Sequence, residues 1–285
     1  STHNRLVLGS SPSRPTIFSS ISHPQGYDNI MMFDTLTPHL ITLTTQVGEM
    51  IMSYYKTSLA IETKSDQTPL TVVDQKAHQL LSETLSQLTP GIPILSEESE
   101  PVDFSERSSW NEYWLIDPLD GTRDFIEQTG EFCICIAYIK SNRPIFGFIY
   151  APLSKTHYFT NDQAQAFKLN NNTTAQLQVA AQNKPLEVVT GHYSSHNLKL
   201  HDHLNKLGLY RINHLGSALK FCKIAEGEYD YYPRFGPCSE WDTAAGGYIL
   251  EAAGGRVVGE DNKPLRYNTQ DSLKSPIFFA SGKTQ

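Results

Sequence analysis

Residues 114–125 constrain this chain more than any other stretch, because they join a buried strand to two acids on one turn: WLIDPLDGTRDF. The apolar lead-in is typical of a buried strand. We expect that strand to stop at Asp117, because the proline that follows removes a backbone donor and cannot continue a central ladder. Gly121 then allows a close approach of the backbone, and Thr122 is expected to open a helix.

The two acids of this turn, Asp117 and Asp120, lie three residues apart and can converge on one point. The backbone carbonyl of Leu119 is free to point to the same place. Carboxylate and carbonyl oxygens are the hard ligands that Mg²⁺ prefers, and a helix N-terminus beside them favours a phosphate group. A polar surface turn is the alternative interpretation, since Asp, Pro and Gly are turn residues in general.

Length and composition exclude several classes of protein. The 285 residues can form one large domain or two lobes, and a hydrophobic content of 39% is ordinary for a soluble globular protein. A net charge of −7 argues against a nucleic-acid scaffold, because no basic excess neutralises phosphates. An acidic site can still take a phosphate ester where bound cations invert the local charge. No apolar run is long enough for a membrane span, and no secretory signal is visible.

The four cysteines are Cys133, Cys135, Cys222 and Cys238, and they show no C-x-x-C spacing, which argues against a zinc site. Cys133 and Cys135 lie in EFCICIAYI, where both faces of the predicted strand are apolar. We therefore expect buried free thiols in a reducing compartment.

The N-terminal half, about residues 31–175, is predicted to form an α+β lobe. Residues 1–30 are rich in Ser and Pro and are predicted to be a leader that is disordered or not native to the fold. Apolar residues at helical spacing predict helices over residues 33–59 and 71–88. Asp74 lies in the first turn of the second helix, where the helix dipole alone would explain a carboxylate.

A short strand over residues 92–95 ends in the acidic cluster SEESE, which is most simply a solvated loop. This strand directly precedes the one that carries WLIDPLDGT, so the two acidic ends could be neighbours. Further strands over residues 132–139, 145–150 and 157–160 predict an antiparallel meander.

The C-terminal half, about residues 176–285, alternates strands and helices and is predicted to form an α/β lobe. Asp242 precedes a predicted helix that runs to Ala253, and an Asp at such a start is most simply an N-cap. The small residues that follow it, TAAG, would let a bulky group pack against the first turn.

Three separated motifs give the chain a resemblance to a known family: the pair Glu97 and Glu98, then DPLDGT, then WDTAAG. They resemble those of the inositol monophosphatase superfamily of Mg²⁺-dependent, lithium-sensitive phosphatases. The segments GEF, GSALKFCKIAEG and YPRFGPCSEWDTAAG look like those of its bacterial 3′(2′),5′-bisphosphate nucleotidase branch. The resemblance runs from about Phe33 to the C-terminus. It implies a layered αβαβα sugar-phosphatase fold with the metal site between two lobes.

The resemblance implies a cage for two or three Mg²⁺ ions. Glu97 and the Leu119 carbonyl would bind the first metal, and Asp117 would bridge two metals. Asp120 and Asp242 would hold the second. Two such ions can clamp the attacking and leaving oxygens of an in-line displacement.

The catalytic residues implied by the resemblance are Thr122 and Asp74, which would activate the attacking water as a pair, and Glu98, which would orient a ligand or a water. The resemblance weakens the interpretation of Asp74 as a helix-dipole residue, of the acidic cluster as a solvated loop and of Asp242 as an N-cap. All three would have to match the family motifs by coincidence.

The resemblance also implies substrate contacts, at Glu97, Leu119, Asp120, Gly121, Thr122, Lys220, Arg234 and Asp242. Lys220 and Arg234 are the cations nearest the predicted site in sequence, and an arginine can bind a second phosphate bidentately. The inositol branch lacks the R-F-G-P segment, which favours a bisphosphate nucleotide here. Tyr232 and Phe235 could stack on adenine or belong to the core. Residues 190–193, TGHY, depart from the S-R-S-H usual in the branch, which leaves the base contacts open.

The resemblance therefore implies a cytoplasmic phosphatase, with peripheral attachment to the inner membrane left open. Its substrate would be a small phosphonucleotide, adenosine 3′,5′-bisphosphate (PAP), converted to AMP; the sulfated precursor PAPS of sulfate assimilation is a further candidate, and no nucleic acid polymer is expected. An inositol or sugar phosphate monophosphatase with the same metal cage is the nearest alternative. A non-catalytic phosphonucleotide sensor is the second, although the complete set of ligands argues against it. Oligomerisation is left open.

Overall fold

The computed structural model describes residues 32–55, 61–63, 69–194 and 196–283. The predicted leader, residues 1–30, lies outside them. Within the described ranges the chain forms seven helices, two larger sheets and a small hairpin of β1 (Ile61–Thr63) with β2 (Pro69–Thr71). None of the helices in this part of the chain is long and apolar enough to cross a membrane.

The larger of the two sheets is an almost continuous meander. Its seven strands are, in spatial order, β3 (Ile94–Ser96), β4 (Glu112–Asp120), β5 (Cys133–Lys140), β6 (Arg143–Ala151), β7 (Thr156–Thr160), β8 (Ala166–Asn170) and β9 (Thr173–Gln176). Only β3 and β4 run parallel, and every other pair is antiparallel. The predicted meander is therefore confirmed, and the acidic end of β3 lies beside β4.

Two helices, α1 (Phe33–Tyr54) and α2 (Val72–Leu88), pack on each other and on this sheet. The buried side chains of α2 recur every four residues, at Val73, Ala77, Leu81 and Leu85. This spacing makes a narrow apolar stripe, so Leu80 lies beside it and is 42% exposed. The first helix ends at Tyr54, and residues 56–59 of its predicted extension lie outside the described residues.

The second sheet has five strands. In chain order they are β10 (Leu186–Thr190), β11 (Tyr210–His214), β12 (Tyr231–Arg234), β13 (Arg256–Gly259) and β14 (Phe278–Ser281). Their spatial order is β11-β10-β12-β14-β13. The first three run parallel, as the alternation of strands and helices predicts, and β14 is antiparallel to both of its neighbours. This half is thus the predicted α/β arrangement.

The helices of the second half cover both faces of the five-stranded sheet. Between the two sheets, α7 (Trp241–Ala252) contacts strands of each, and α6 (Leu219–Ala225) packs on α7 and β12. On the outer face, α5 (Leu198–Leu204) packs on Val188, whereas Val189 points to the core between the sheets. The layers are therefore α, β, α, β, α, which confirms the predicted fold class; the lobe boundary near residue 175 stays a prediction.

The expected end of the central strand was wrong. The strand does not stop at Asp117 but continues as β4 to Asp120, with a shift in register between these two residues. Asp117 pairs with Cys135 and Asp120 with Cys133, so three steps along β4 match two along β5. One extra residue in β4 makes a bulge, which accommodates Pro118 because a bulge tolerates a residue that cannot donate to the ladder.

The close contact between β6 and α7 yields a stability prediction. A Cβ added at Gly147 would lie 2.5 Å from the carbonyl oxygen of Ala245, so Gly147→Ala should destabilise the fold by about 1–3 kcal/mol. A Cβ at Gly247, in the same helix interface, meets nothing closer than 3.7 Å, so Gly247→Ala should instead stabilise by about 0.5–1 kcal/mol. Urea denaturation of both variants measures the difference. Equal effects of the same sign would contradict this account of the interface.

Candidate active site

Three carboxylates converge where β4 ends and α7 begins. Asp117, Asp120 and Asp242 each offer an oxygen atom, and these atoms all lie within 4.8 Å of one another. Asp117 is fully buried, whereas the other two are half-buried. The structure thus brings together acids that are separated by more than 120 residues in the sequence. Three hard oxygen donors at this spacing fit a divalent cation such as Mg²⁺.

Backbone N–H groups hold each of the three carboxylates in place. Asp117 accepts from the amide of Leu119 at 3.0 Å, within the bulge. Asp120 accepts from the amide of Ala218, at the start of α6. Asp242 accepts from the amide of Ser239 at 2.8 Å. These bonds fix the side chains before any ligand arrives, which lowers the cost of ordering them.

Asp242 is not the N-cap residue that the sequence predicts. The capping position is Glu240, and Asp242 is the second residue of α7. Its side chain bonds to the loop before the helix, at Ser239 and at the Cys238 thiol. This placement turns the carboxylate away from its own helix and toward Asp117 and Asp120.

The acidic pair Glu97 and Glu98 follows β3 directly. The amide of Glu97 donates to the carbonyl of Ile116 at 3.3 Å, which places it beside the strand that carries Asp117. The Glu97 carboxylate is among the groups that act electrostatically on Asp117. Burial lowers the pKa of His78, and the nearby carboxylate of Glu98 opposes that shift. Their roles as metal ligand and orienting residue stay predictions.

The site concentrates negative charge in a buried place. Burial raises the pKa of Asp117 well above its usual range, and neighbouring carboxylates raise it further, those of Glu97, Asp120, Asp242 and Asp74. Burial and then the charge of Asp242 raise the pKa of Asp120 to about 7, although Lys220 and the Ala218 amide oppose this. A divalent cation would relieve such repulsion, and the donor set fits one.

The predicted catalytic pair meets beside these acids. The Thr122 hydroxyl lies 3.2 Å from a carboxylate oxygen of Asp74 and 3.1 Å from the carbonyl of Leu119. Thr122 is the first residue of the short helix α4 (Thr122–Ile126). It follows Gly121, whose φ of +92° and approach to the carbonyl of Glu131 require a glycine. The turn therefore points the Thr122 hydroxyl at Asp74, which lies 48 positions earlier in the chain.

Lys220 is turned into the fold, and its predicted contact with a substrate stays a prediction. Its side chain is buried, and its ammonium donates to the carbonyls of Leu215 at 3.1 Å and Ser217 at 2.5 Å. The ammonium also lies 5.1 Å from the centre of the Tyr232 ring. Burial lowers the pKa of Lys220, and Asp120 opposes this shift. The lysine supports the turn that supplies the Ala218 amide to Asp120.

The two aromatic residues considered for adenine stacking are parts of the core. Tyr232 is buried, and its ring packs at 5.3 Å from those of Phe221 and Phe278. Phe235 packs on the outer face of the second sheet, against His203 and Phe279. Tyr232 thus points into the core between the sheets, whereas Phe235, one residue beyond β12, is partly buried on the outer face.

Arg234 lies at the end of β12 and is half-buried. It donates one bond to the carbonyl of Pro237 at 2.5 Å, and its buried Nε has no hydrogen-bond partner among the described residues. A Cβ added at Gly191 would lie 3.8 Å from the Nη1 atom of Arg234. The departing segment, residues 190–193, therefore adjoins Arg234. A glycine there leaves room beside the guanidinium for a ligand oxygen.

Glu131 links the segment before β5 to residues of the second half of the chain, and the sequence reasoning gave it no role. Its carboxylate accepts from the amide of Gly216 at 2.6 Å and lies 2.5 Å from Nε2 of His192. The GEF motif, which contains Glu131, was the available signal. Although residues 190–193 depart from S-R-S-H, the segment still contains a histidine, His192, and this histidine contacts Glu131.

Comparison with known proteins agrees with this geometry. A family model described as the inositol monophosphatase family matches residues 32–281. The chain belongs to the inositol monophosphatase family. It is 40% identical over 238 residues to the 3′(2′),5′-bisphosphate nucleotidase CysQ of Salmonella typhimurium, covering 83% of this chain and 95% of that relative. It is 39% identical over 241 residues to CysQ of Escherichia coli K12, with coverage of 84% and 96%.

A solved structure supports the same assignment. CysQ from Bacteroides thetaiotaomicron, described as a bacterial member of the inositol monophosphatase family, superposes with a TM-score of 0.77 at 32% identity. The match covers 89% of this chain and 99% of that one. The predicted superfamily and its CysQ-like branch are confirmed, and the chain is an enzyme of the phosphatase class.

Proposed function

We propose that this enzyme is a Mg²⁺-dependent 3′(2′),5′-bisphosphate nucleotidase. It would hydrolyse the 3′-phosphate of adenosine 3′,5′-bisphosphate to give AMP and phosphate, and it would also accept PAPS. The observation that carries the proposal is the convergence of Asp117, Asp120 and Asp242 beside the Thr122–Asp74 pair. The names of the relatives support the choice of substrate.

The oxygen donors divide between two metal positions, with a third ion as a possible addition during turnover. Glu97, Asp117 and the Leu119 carbonyl would hold the first ion, and Asp117, Asp120 and Asp242 the second. Bound Mg²⁺ supplies a lowered pKa for the attacking water and stabilises charge on the phosphoryl oxygens. No strong protein base is then required, which agrees with a threonine at the position of the water activator.

The residues of this chain would orient the reactants. The Thr122 hydroxyl has one proton, which it donates to Asp74 or to the Leu119 carbonyl, so its lone pairs can accept from a water. Asp74 would fix that orientation and receive the proton relayed through the threonine. The N-terminal turn after Gly121 would present its backbone N–H groups to the phosphate. Glu98 would orient a ligand or a water from behind Glu97.

The choice of a bisphosphate nucleotide depends on Arg234. Its buried Nε has no partner in the part of the chain that the structure describes, and Gly191 leaves space beside its Nη1 atom, so a second phosphate could bind bidentately. Lys220 would contribute positive charge from inside the fold rather than by contact. The four free thiols suit a reducing compartment, so we include a cytoplasmic location in the proposal.

Phosphate release with Mg²⁺ from adenosine 3′,5′-bisphosphate and from inositol 1-phosphate tests the proposal. We expect the nucleotide to have the higher kcat/KM, and no turnover without a divalent cation. Equal or better turnover of inositol phosphate would make the enzyme an inositol or sugar phosphatase. Tight binding of the nucleotide without turnover would make it a sensor.

A substitution at Arg234 tests substrate recognition separately from chemistry. Arg234→Ala should raise KM for the bisphosphate by about 10- to 100-fold, because a charge-assisted bidentate contact of about 1.5–3 kcal/mol is lost. KM for adenosine 3′-monophosphate should change little. Arg234→Lys is the matched control, and it should recover only part of the affinity because an ammonium cannot bind bidentately. Equal changes for both substrates would make Arg234 a structural residue.

A further inference from the structure

Two cysteine thiols face the candidate metal ligand Asp120. Cys133 and Cys135 are two residues apart on β5, so their side chains lie on the same face of the sheet. Asp120 is the cross-strand partner of Cys133. The Sγ atoms lie 3.7 Å apart, and Oδ2 of Asp120 lies 3.7 Å from the first and 3.9 Å from the second. Two sulfurs and one oxygen thus form a nearly equilateral triangle.

The edges of this triangle match one face of a tetrahedral site for a thiophilic cation. With metal–sulfur bonds of about 2.3 Å and metal–oxygen bonds of about 2.0–2.2 Å, tetrahedral angles place two sulfurs about 3.8 Å apart and a sulfur and an oxygen about 3.5–3.7 Å apart. The observed distances of 3.7, 3.7 and 3.9 Å need adjustments of only a few tenths of an ångström. The two thiols and the carboxylate are therefore already arranged as ligands.

The donor set is chemically different from the cage described above. Thiolates select Zn²⁺, Cd²⁺ and Cu⁺, whereas carboxylate and carbonyl oxygens suit Mg²⁺. The two cysteines have C-x-C spacing and not the C-x-x-C spacing typical of zinc sites. They form this triangle with Asp120 only because the bulge brings Asp120 opposite Cys133. Both cysteines are free. They are buried behind Asp120, which is half-buried, so a cation would enter from the cleft.

We propose that Cys133, Cys135 and Asp120 form a second cation site, selective for a thiophilic divalent cation such as Zn²⁺ or Cd²⁺. Binding releases the two thiol protons, and the third ligand is the carboxylate; a water from the cleft completes the tetrahedron. Asp120 belongs to both the oxygen cage and the thiol site. A cation held by the thiols takes this carboxylate from the oxygen cage, so occupancy of the thiol site inhibits the enzyme.

The thiol protons set the cost of binding. Both thiols donate to Oδ2 of Asp120, so each has a proton to lose. The incoming cation therefore displaces a proton, and a coordinated thiol is deprotonated outright. A hard cation of the Mg²⁺ type gains too little from sulfur to do so, which keeps the two sites chemically distinct.

Titration of the metal-free enzyme with Cd²⁺ alone tests binding without any substrate. We expect the ultraviolet charge-transfer band of cadmium bound to two thiolates to saturate at one thiolate-bound Cd²⁺ per chain; ions in the oxygen cage give no such band. Cys133→Ala and Cys135→Ala should each lose most of the band and weaken Cd²⁺ binding by more than about 100-fold. Cys222→Ala is the matched control, because Cys222 is equally buried but makes no contact with Asp120 among those found; it should leave the titration unchanged.

Each of the following results of the titration would overturn the proposal. No band in the wild-type enzyme would overturn the proposal, and this measurement needs no variant to fold. A band that survives in both the Cys133 and Cys135 variants, or that disappears only in Cys238→Ala, would also overturn it. A second measurement follows phosphate release at saturating Mg²⁺: Cd²⁺ should inhibit the wild-type and Cys222→Ala enzymes at least tenfold more strongly than the Cys135→Ala enzyme. Binding of Cd²⁺ without inhibition would refute the shared use of Asp120.

Discussion

Asp117→Asn is expected to lower kcat for phosphate release by about 10³-fold or more, while making the metal-free protein more stable. Asp117 is fully buried and is proposed to serve both metal positions, so an amide in its place removes a charge that each ion needs. Its bond from the Leu119 amide, at 3.0 Å, can be kept by the amide oxygen of asparagine. The loop geometry should therefore survive the change.

The gain in stability follows from the repulsion within the site. Burial and neighbouring carboxylates all disfavour a charge at Asp117. Removing that charge should stabilise the metal-free fold by about 1 kcal/mol or more, which corresponds to a rise in Tm of roughly 2–4 °C. With excess Mg²⁺ the order should reverse, because only the wild-type protein gains the free energy of metal binding.

Asp230→Asn is the matched control for this prediction. Asp230 is equally buried, but its partners are the amides of Asn183 at 3.2 Å and Glu187 at 2.8 Å rather than groups of the candidate site. We expect Asp230→Asn to destabilise the fold by about 1–3 kcal/mol and to keep kcat. Calorimetry with and without Mg²⁺, alongside a phosphate assay, compares the two. Activity of Asp117→Asn within tenfold of wild type would refute the shared ligand role.

Thr122→Val is expected to lower kcat by about 10²–10³-fold with little change in KM. Valine keeps the shape of threonine but cannot accept from a water or donate to Asp74, which lies 3.2 Å away. Asp74→Asn should have an effect of similar size, because the amide no longer takes the proton relayed by Thr122. Thr122→Ser keeps the hydroxyl and is expected to stay within about tenfold of wild type.

The double variant tests whether the two residues act as a unit. If Thr122 orients the water only with the help of Asp74, combining Thr122→Val with Asp74→Asn should cost no more than the worse single change. Single-turnover measurements with saturating nucleotide and Mg²⁺ give the rate of the chemical step. Effects that multiply would show that Asp74 acts independently, in which case its position in the first turn of α2 would be structural.

The sequence was most informative where chemistry is local. The DPLDGT turn carries two acids, a glycine that must take positive φ, and a threonine that opens a helix, so residue types alone predicted the ligands of one turn. Because each acidic motif follows a short apolar run or begins a helix, their placement at element ends was also predictable. The approach of the first two motifs then required only that β3 and β4 be neighbours, which the structure confirms. Asp242 joins them only because α7 packs against β4 and β5.

Side chains on the second half of the chain were harder to place. Lys220 and Tyr232 carry groups that suit a phosphate and an adenine, yet both are buried, and the lysine binds carbonyls of its own turn. A residue type shows what a side chain can bind but not which way its element faces. Which face of β12 meets α6 depends on the packing of the two sheets around α7, which no local pattern encodes.

The sequence by itself determined the acids, their order and the alternation of helices and strands, because periodicity and turn chemistry act within a few residues; the αβαβα layering was implied by the family resemblance. Only the tertiary structure decided the register of β4 against β5. A one-residue bulge between Asp117 and Asp120 sets these acids opposite Cys135 and Cys133, and a one-residue slip would send either side chain to the other face. The same bulge thus builds the oxygen cage and brings two thiols to its edge.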